Sequence, residues 1–139
     1  MLYMLDTNMC SYIIRDNPKG IFQKLKEVER DHTIALSSIV VSELFYGASK
    51  KSSTKLIKVV NLFVEQFAIY DYNKASAKAY ASIRTTLEKK GQTIGVHDML
   101  IAAHALSLGA TIVTNNMKEF ERVEGLALEN WVEGVWRNI

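Results

Sequence analysis

The chain is poor in the residues that mark several whole classes of protein. It has one cysteine, Cys10, so no disulfide can close within it, and a reducing cytoplasm is the expected compartment. Cys10 has no evident histidine partner in the sequence, so it reads as a packing residue, not a nucleophile. No apolar stretch approaches the roughly 20 residues of a bilayer span, and no membrane association is expected. The apolar opening, Met1 to Leu5, is too short for the core of a secretion signal and lacks a basic flank. Repeats, low-complexity tracts and linkers are missing, and Pro18 is the only proline, so residues 1–139 read as a single domain. His32, His97 and His104 lack the spacing of a zinc site. His104, in an apolar segment, reads as a satisfied core histidine, and His97 is given no role. Charge of one sign is not in excess either. The net charge of +2 permits a nucleic-acid partner without arguing for one.

What is there is organised around the first seven residues. Met1-Leu2-Tyr3-Met4-Leu5 runs straight into Asp6-Thr7. A short apolar run closed by turn formers reads as a buried strand of a parallel sheet. The polar stop then lies at the strand's carboxyl end, the edge where open α/β sheets bind ligands. Further buried strands are expected at Thr33 to Leu36, Ala68 to Tyr70, Ala110 to Thr114 and Leu126 to Leu128. Helices are expected at Asn8 to Ile14, Gly20 to Arg30, Ile39 to Ala48, Lys55 to Phe67, Asn73 to Lys90 and Asp98 to Leu108. The fourth and fifth of these are read as an αα-hairpin standing off the sheet. Glu119-Phe120 belongs to a loop or short helix, and Trp131 and Trp136 are expected to cover the end of the core. The mixed βαβ order implies α/β architecture, a mostly parallel sheet between helices.

Three acids interrupt apolar segments without a basic neighbour: Asp6 ends the first strand, Glu43 sits inside an apolar helix, and Asp98 opens the most apolar helix. Other acids are interleaved with lysine, as in Lys26-Glu27 and Glu88-Lys89, and read as solvated faces. Carboxylates brought together repel and push their pKa values up; a divalent cation reverses that penalty. Mg²⁺ or Mn²⁺, held by a few carboxylates and several waters, suits such a set and activates water against a phosphoryl group. Asn116 could add a neutral oxygen, and Glu119 a place in the outer shell. Thr7, Asn8 and Thr114 are read as orienting the carboxylates. Each acid also has a structural reading: Asp6 and Asp98 as helix N-caps, Glu43 as half of a buried ion pair. Lys50-Lys51, Lys55 to Lys58 and Lys89-Lys90 read as solvated helix ends.

The ordered set Leu5-Asp6-Thr7-Asn8, Ser42-Glu43-Leu44 to Tyr46-Gly47-Ala48, Ile94-Gly95 to Asp98, Leu100 to Ala105, and Val113 to Asn116 with Glu119-Phe120 resembles the PIN-domain ribonucleases. Within them it resembles the VapC toxins of bacterial toxin–antitoxin pairs, and the resemblance runs over essentially the whole chain. It implies a PIN-like three-layer α/β/α sandwich and a Mg²⁺- or Mn²⁺-dependent endoribonuclease. It also implies structured RNA, often tRNA, as substrate, a cognate antitoxin as inhibitor, and a homodimer. By position, Asp6, Glu43 and Asp98 become the metal-binding acids, with Asn116 where many relatives carry a fourth acid. Asp6, Glu43, Asp98 and Asn116 should then converge within about one coordination sphere. Two other readings compete. An aspartate-nucleophile phosphatase wants a second acid two residues after Asp6, and Asn8 stands there. A PIN-like module that only binds RNA or a partner would account for Asn116 as degeneration.

Overall fold

The computed structural model describes residues 1–132. Its strands are β1 (Leu2–Leu5), β2 (Thr33–Ser37), β3 (Ala68–Tyr70), β4 (Thr111–Val113) and β5 (Ala127–Glu129). Its helices are α1 (Thr7–Arg15), α2 (Ile21–Val28), α3 (Ser38–Lys50), α4 (Thr54–Val64), α5 (Lys74–Lys89), α6 (Val96–Leu108) and α7 (Met117–Phe120). The strands form one sheet in the order β3-β2-β1-β4-β5, with every neighbouring pair parallel. In β1, at the centre, Tyr3, Met4 and Leu5 are all buried. Continuous apolar character, not alternation, is what a strand covered on both faces requires.

The chain steps from β1 to β2 to β3, then jumps back across the sheet to β4 and on to β5. Parallel crossovers are right-handed, so this reversal puts α1 to α4 on one face and α5 and α6 on the other. The reversal falls between β1 and β4, the switch point at which α/β sheets open a crevice beyond their carboxyl ends.

The expected αα-hairpin is not formed. Strand β3 joins the sheet edge between the two helices, and α5 packs along α6 instead, while α4 packs on α3. Both helices were amphipathic, but an apolar stripe does not name its partner. Helix α6 is apolar all round because it is buried on nearly all sides, with Met99, Ile101, Ala102, Ala103, His104 and Ala105 inside. It ends at Gly109, whose φ of 66° is the left-handed conformation favoured at a helix stop. Trp131 is buried with its ring 6.0 Å from that of Tyr3; Trp136 lies outside the described residues. Among the described residues no helix is long and apolar enough to cross a membrane.

Candidate active site

Asp6 follows β1 directly and its backbone N–H donates to Val113 O of β4 at 3.1 Å, so it sits in the β1/β4 crevice. It does cap α1: Oδ1 accepts from the Met9 N–H at 2.8 Å. The cap uses one oxygen only. Oδ2 accepts from the Thr114 hydroxyl at the end of β4. That hydroxyl in turn accepts from the Asn116 N–H at 2.8 Å, which leaves its proton no better direction than Asp6. Asp6 is thus 4% exposed yet bonded at both oxygens. Burial pushes its carboxyl above the usual range, the Thr114 and Met9 hydrogen bonds pull it back, and the charge of Glu43 adds to the rise.

Glu43 lies in the second turn of α3, on the side that faces α1. Its Oε1 accepts from the Thr7 hydroxyl at 2.9 Å, and its Oε2 stands 3.4 Å from His97 Nδ1. Among the described residues no arginine holds it, and the buried ion pair considered for it is not formed there. His97, assigned no role above, is the residue missed. It is exposed and 54 positions away, and only the meeting of α3 with the start of α6 brings it there.

Asp98 is not an N-cap. Helix α6 starts two residues earlier, at Val96, with Gly95 as the cap residue, so Asp98 sits in the first turn. Carboxylates are favoured there by the helix dipole, but its neighbours are acids. Its pKa is pushed up to about 6, by burial first, then by the hydrogen bond and charge of Glu119, then by the charges of Asp6 and Glu43. Asn116 stands between the two: its Nδ2 is 3.0 Å from Glu119 Oε2 and 3.4 Å from Asp98 Oδ2. Facing carboxylates, the amide turns its donor inwards. Asn116 therefore bridges acids with its nitrogen, where an added oxygen ligand was expected.

Asp6, Glu43, Asp98 and Asn116 all reach the carboxyl edge of the sheet, with Thr7, Thr114 and Glu119 attached to them by the bonds above. Asn8 is exposed on the first turn of α1. The set does not close into one coordination sphere: among the described residues no three acid, histidine or cysteine groups are grouped tightly enough to hold an ion as they stand. Unneutralised carboxylates keep one another apart. The residues nonetheless suit a hard divalent ion, since the donors are carboxylate oxygens and the crowding that raises Asp98 is what a cation would relieve. Mg²⁺ keeps several waters and needs only one or two carboxylates, which an open site supplies.

Comparison with known proteins gives the family and the fold. Residues 3–126 match the PIN domain family. The chain is 45% identical over 132 residues to ribonuclease VapC2 of Rickettsia felis, covering 94% of this chain and 98% of that protein. It belongs to the VapC family of PIN domains. It is also 37% identical over 130 residues to the tRNA(fMet)-specific endonuclease VapC of Salmonella typhimurium, across 93% of this chain and 97% of that one. The crystal structure of VapBC2 from R. felis bound to a promoter DNA fragment superposes with a TM-score of 0.89 at 44% identity, covering 94% of this chain and 99% of that one.

In this PIN domain the remaining buried histidine is a separate matter. His104 Nδ1 is 2.7 Å from Ser37 Oγ, tying α6 to the end of β2. Its Nε2 is buried with no hydrogen-bond partner among the described residues, which leave the core histidine only half satisfied. Burial lowers its pKa, with the charge of Asp71 pulling the other way. Cys10 is fully buried, as a packing residue should be.

Proposed function

We propose that this VapC-family chain is a divalent-metal-dependent endoribonuclease toxin, held in check by a cognate antitoxin. The observation that carries the reading is the gathering of Asp6, Glu43, Asp98 and Glu119 at one sheet edge, where burial first and the neighbouring acids second push Asp98 up to about 6. The relatives named as ribonucleases and the VapBC complexes support it. Asp6, Glu43 and Asp98 would hold Mg²⁺ or Mn²⁺, and the bound ion would supply an activated water and a counter-charge for the phosphodiester. The chain's own residues do the rest. Thr114 fixes one oxygen of Asp6, Thr7 fixes one oxygen of Glu43, and Asn116 bridges Asp98 and Glu119 with its amide nitrogen. No side-chain nucleophile is needed.

By the same reading the substrate is structured RNA, with tRNA favoured because one relative is a tRNA(fMet)-specific endonuclease. The protein works in the cytoplasm as a homodimer. We assign the antitoxin to an apolar groove of about 240 Å³ between α1, α2 and α4, lined by Ile13, Phe22, Val59, Leu62 and Phe63. Leu62 is 60% exposed there and Phe22 43%, a large apolar surface to leave in water.

The test is cleavage of bulk tRNA with Mn²⁺, Mg²⁺ or chelator, for wild type and Asp98→Asn. Cleavage that needs the ion and vanishes in the variant is expected. Binding of RNA without cleavage under every metal condition would leave a binding module, the reading that Asn116 in place of an acid favours.

A further inference from the structure

A cleft of about 270 Å³ leads away from the acids between α1, α3 and α4. On α1 it is lined by Thr7, Ser11 and Arg15, and on α3 by Glu43, Gly47 and Lys51. Both sets follow the i, i+4, i+8 spacing that keeps residues on one helix face. Each begins at the site, where Thr7 bonds Glu43, and each ends on a cation eight residues on, about 12 Å along the helix axis. The middle positions, Ser11 and Gly47, are small. Leu44, Leu56 and Val60 supply an aliphatic floor.

Two features argue that the cleft is kept for a ligand. A Cβ built on Gly47 would meet nothing within 4 Å, so packing does not require glycine inside this helix. Glycine is unfavourable there, and what it provides is a low wall. Lys26 pairs with Glu29 and Arg84 with Glu88, but most described lysines and arginines pair with no acid, so what marks Arg15 and Lys51 is that both line this one cleft. Arg15 and Lys51 are in no ion pair among the described residues, and the Arg15 Nε contact is to its own helix, Ser11 O at 3.3 Å.

We infer that the cleft is a phosphate track, in which Arg15 and Lys51 hold backbone phosphates of the RNA strand beside the one at the acids. The inference rests on the nuclease reading and says where its substrate lies. Charge decides for a nucleic acid over a protein segment: the far end offers two free cations. The cleft presents no hydrogen-bonding side chain between Ser11 and the cations, so it positions the strand without reading bases.

The test measures bulk tRNA binding in Ca²⁺ and cleavage in Mn²⁺ for wild type, Arg15→Gln/Lys51→Gln and Gly47→Leu. The double variant should raise both Kd and KM on the order of tenfold with kcat little changed, and lower the slope of log Kd against log salt by about two. Mn²⁺ binding by calorimetry should stay as in wild type. Gly47→Leu should melt no lower than wild type, since leucine favours helix, yet bind tRNA worse because its side chain fills the cleft. An unchanged Kd and salt slope in the double variant overturns the track. So does loss of antitoxin rescue in cells with RNA binding intact, which would give the cleft to a protein. If wild type binds tRNA but never cleaves it, the nuclease reading falls, while a lowered salt slope in the variant still supports the track.

Discussion

Asp6 and Asp98 lie at the same sheet edge and are held in opposite ways. Asp6 is nearly inaccessible and both of its oxygens accept protein hydrogen bonds. Asp98 is half-buried, and its neighbours are other acids and one amide at 3.4 Å. The first carboxylate is fixed by the fold before any ion arrives. The second is a strained position that the fold tolerates and an ion would relieve. The difference separates a site's scaffold from its working charge, and it can be tested from both sides.

The largest expected effect is shared. If the proposed ion site is right, Asp6→Asn and Asp98→Asn should each reduce Mn²⁺-dependent tRNA cleavage on the order of a thousandfold, because each would remove a charge from it. Stability should then split them. Asp6→Asn leaves the α1 cap possible, but turns an amide donor towards the Thr114 hydroxyl and orphans a buried proton, at about 1–2 kcal/mol. Asp98→Asn removes the repulsion and should raise the metal-free melting temperature. Thermal melts in chelator read both; a shift of the same sign and size in the two variants would erase the distinction drawn here.

The next effect is pH-dependent, and its sign follows from the raised pKa. An unfolded Asp98 loses its proton near the ordinary carboxylate value, 3.8, whereas the folded one keeps it to about 6. The folded state binds more protons across that window, so its stability falls as pH rises through it and levels off above. Discounted for solvent at a half-exposed group, the loss is about 1 kcal/mol. Melts of metal-free wild type against Asp98→Asn should show the gap opening between pH 4 and 6 and closing on addition of Mn²⁺. A gap that is flat with pH would contradict the crowding argument. Glu119→Gln should narrow it, since Glu119 heads the neighbouring groups that raise Asp98.

Much of this was legible in the sequence and some of it was not. The run Met1 to Leu5 announced a central buried strand ending in Asp6 because an unbroken apolar segment has few other homes. Thr33 to Leu36 and Ala110 to Thr114 told the same story, and parallel pairing followed from the helices between them. Legibility stopped where distance along the chain became proximity in space. The amphipathic stripes of α4 and α5 were plain, but their partners, α3 and α6, were not. His97 was given no role, and its contact with Glu43 exists only because two faces of the sandwich meet at the site. A polar residue beside Asp98 in the first turn of a buried helix was the one available signal. Lys51 read as an ordinary helix-end cation for the same reason: nothing local shows that it and Arg15 line one cleft.

The smallest expected effect on activity concerns Thr114. Its hydroxyl links Asp6 to the backbone of Asn116, and so couples the fixed acid to the residue that bridges Asp98 and Glu119. Thr114→Val keeps the shape and removes the link. Asp6 Oδ2 then loses a hydrogen bond that favours its charged form, and the Asn116 N–H loses its acceptor, together about 1–2 kcal/mol of stability. Activity should fall modestly, roughly tenfold, through weaker Mn²⁺ binding with kcat at saturating metal close to wild type. Thr114→Ser should restore both. Failure of serine to rescue would mean that Thr114 acts by packing, and Asp6 would have to hold its geometry through the α1 cap alone.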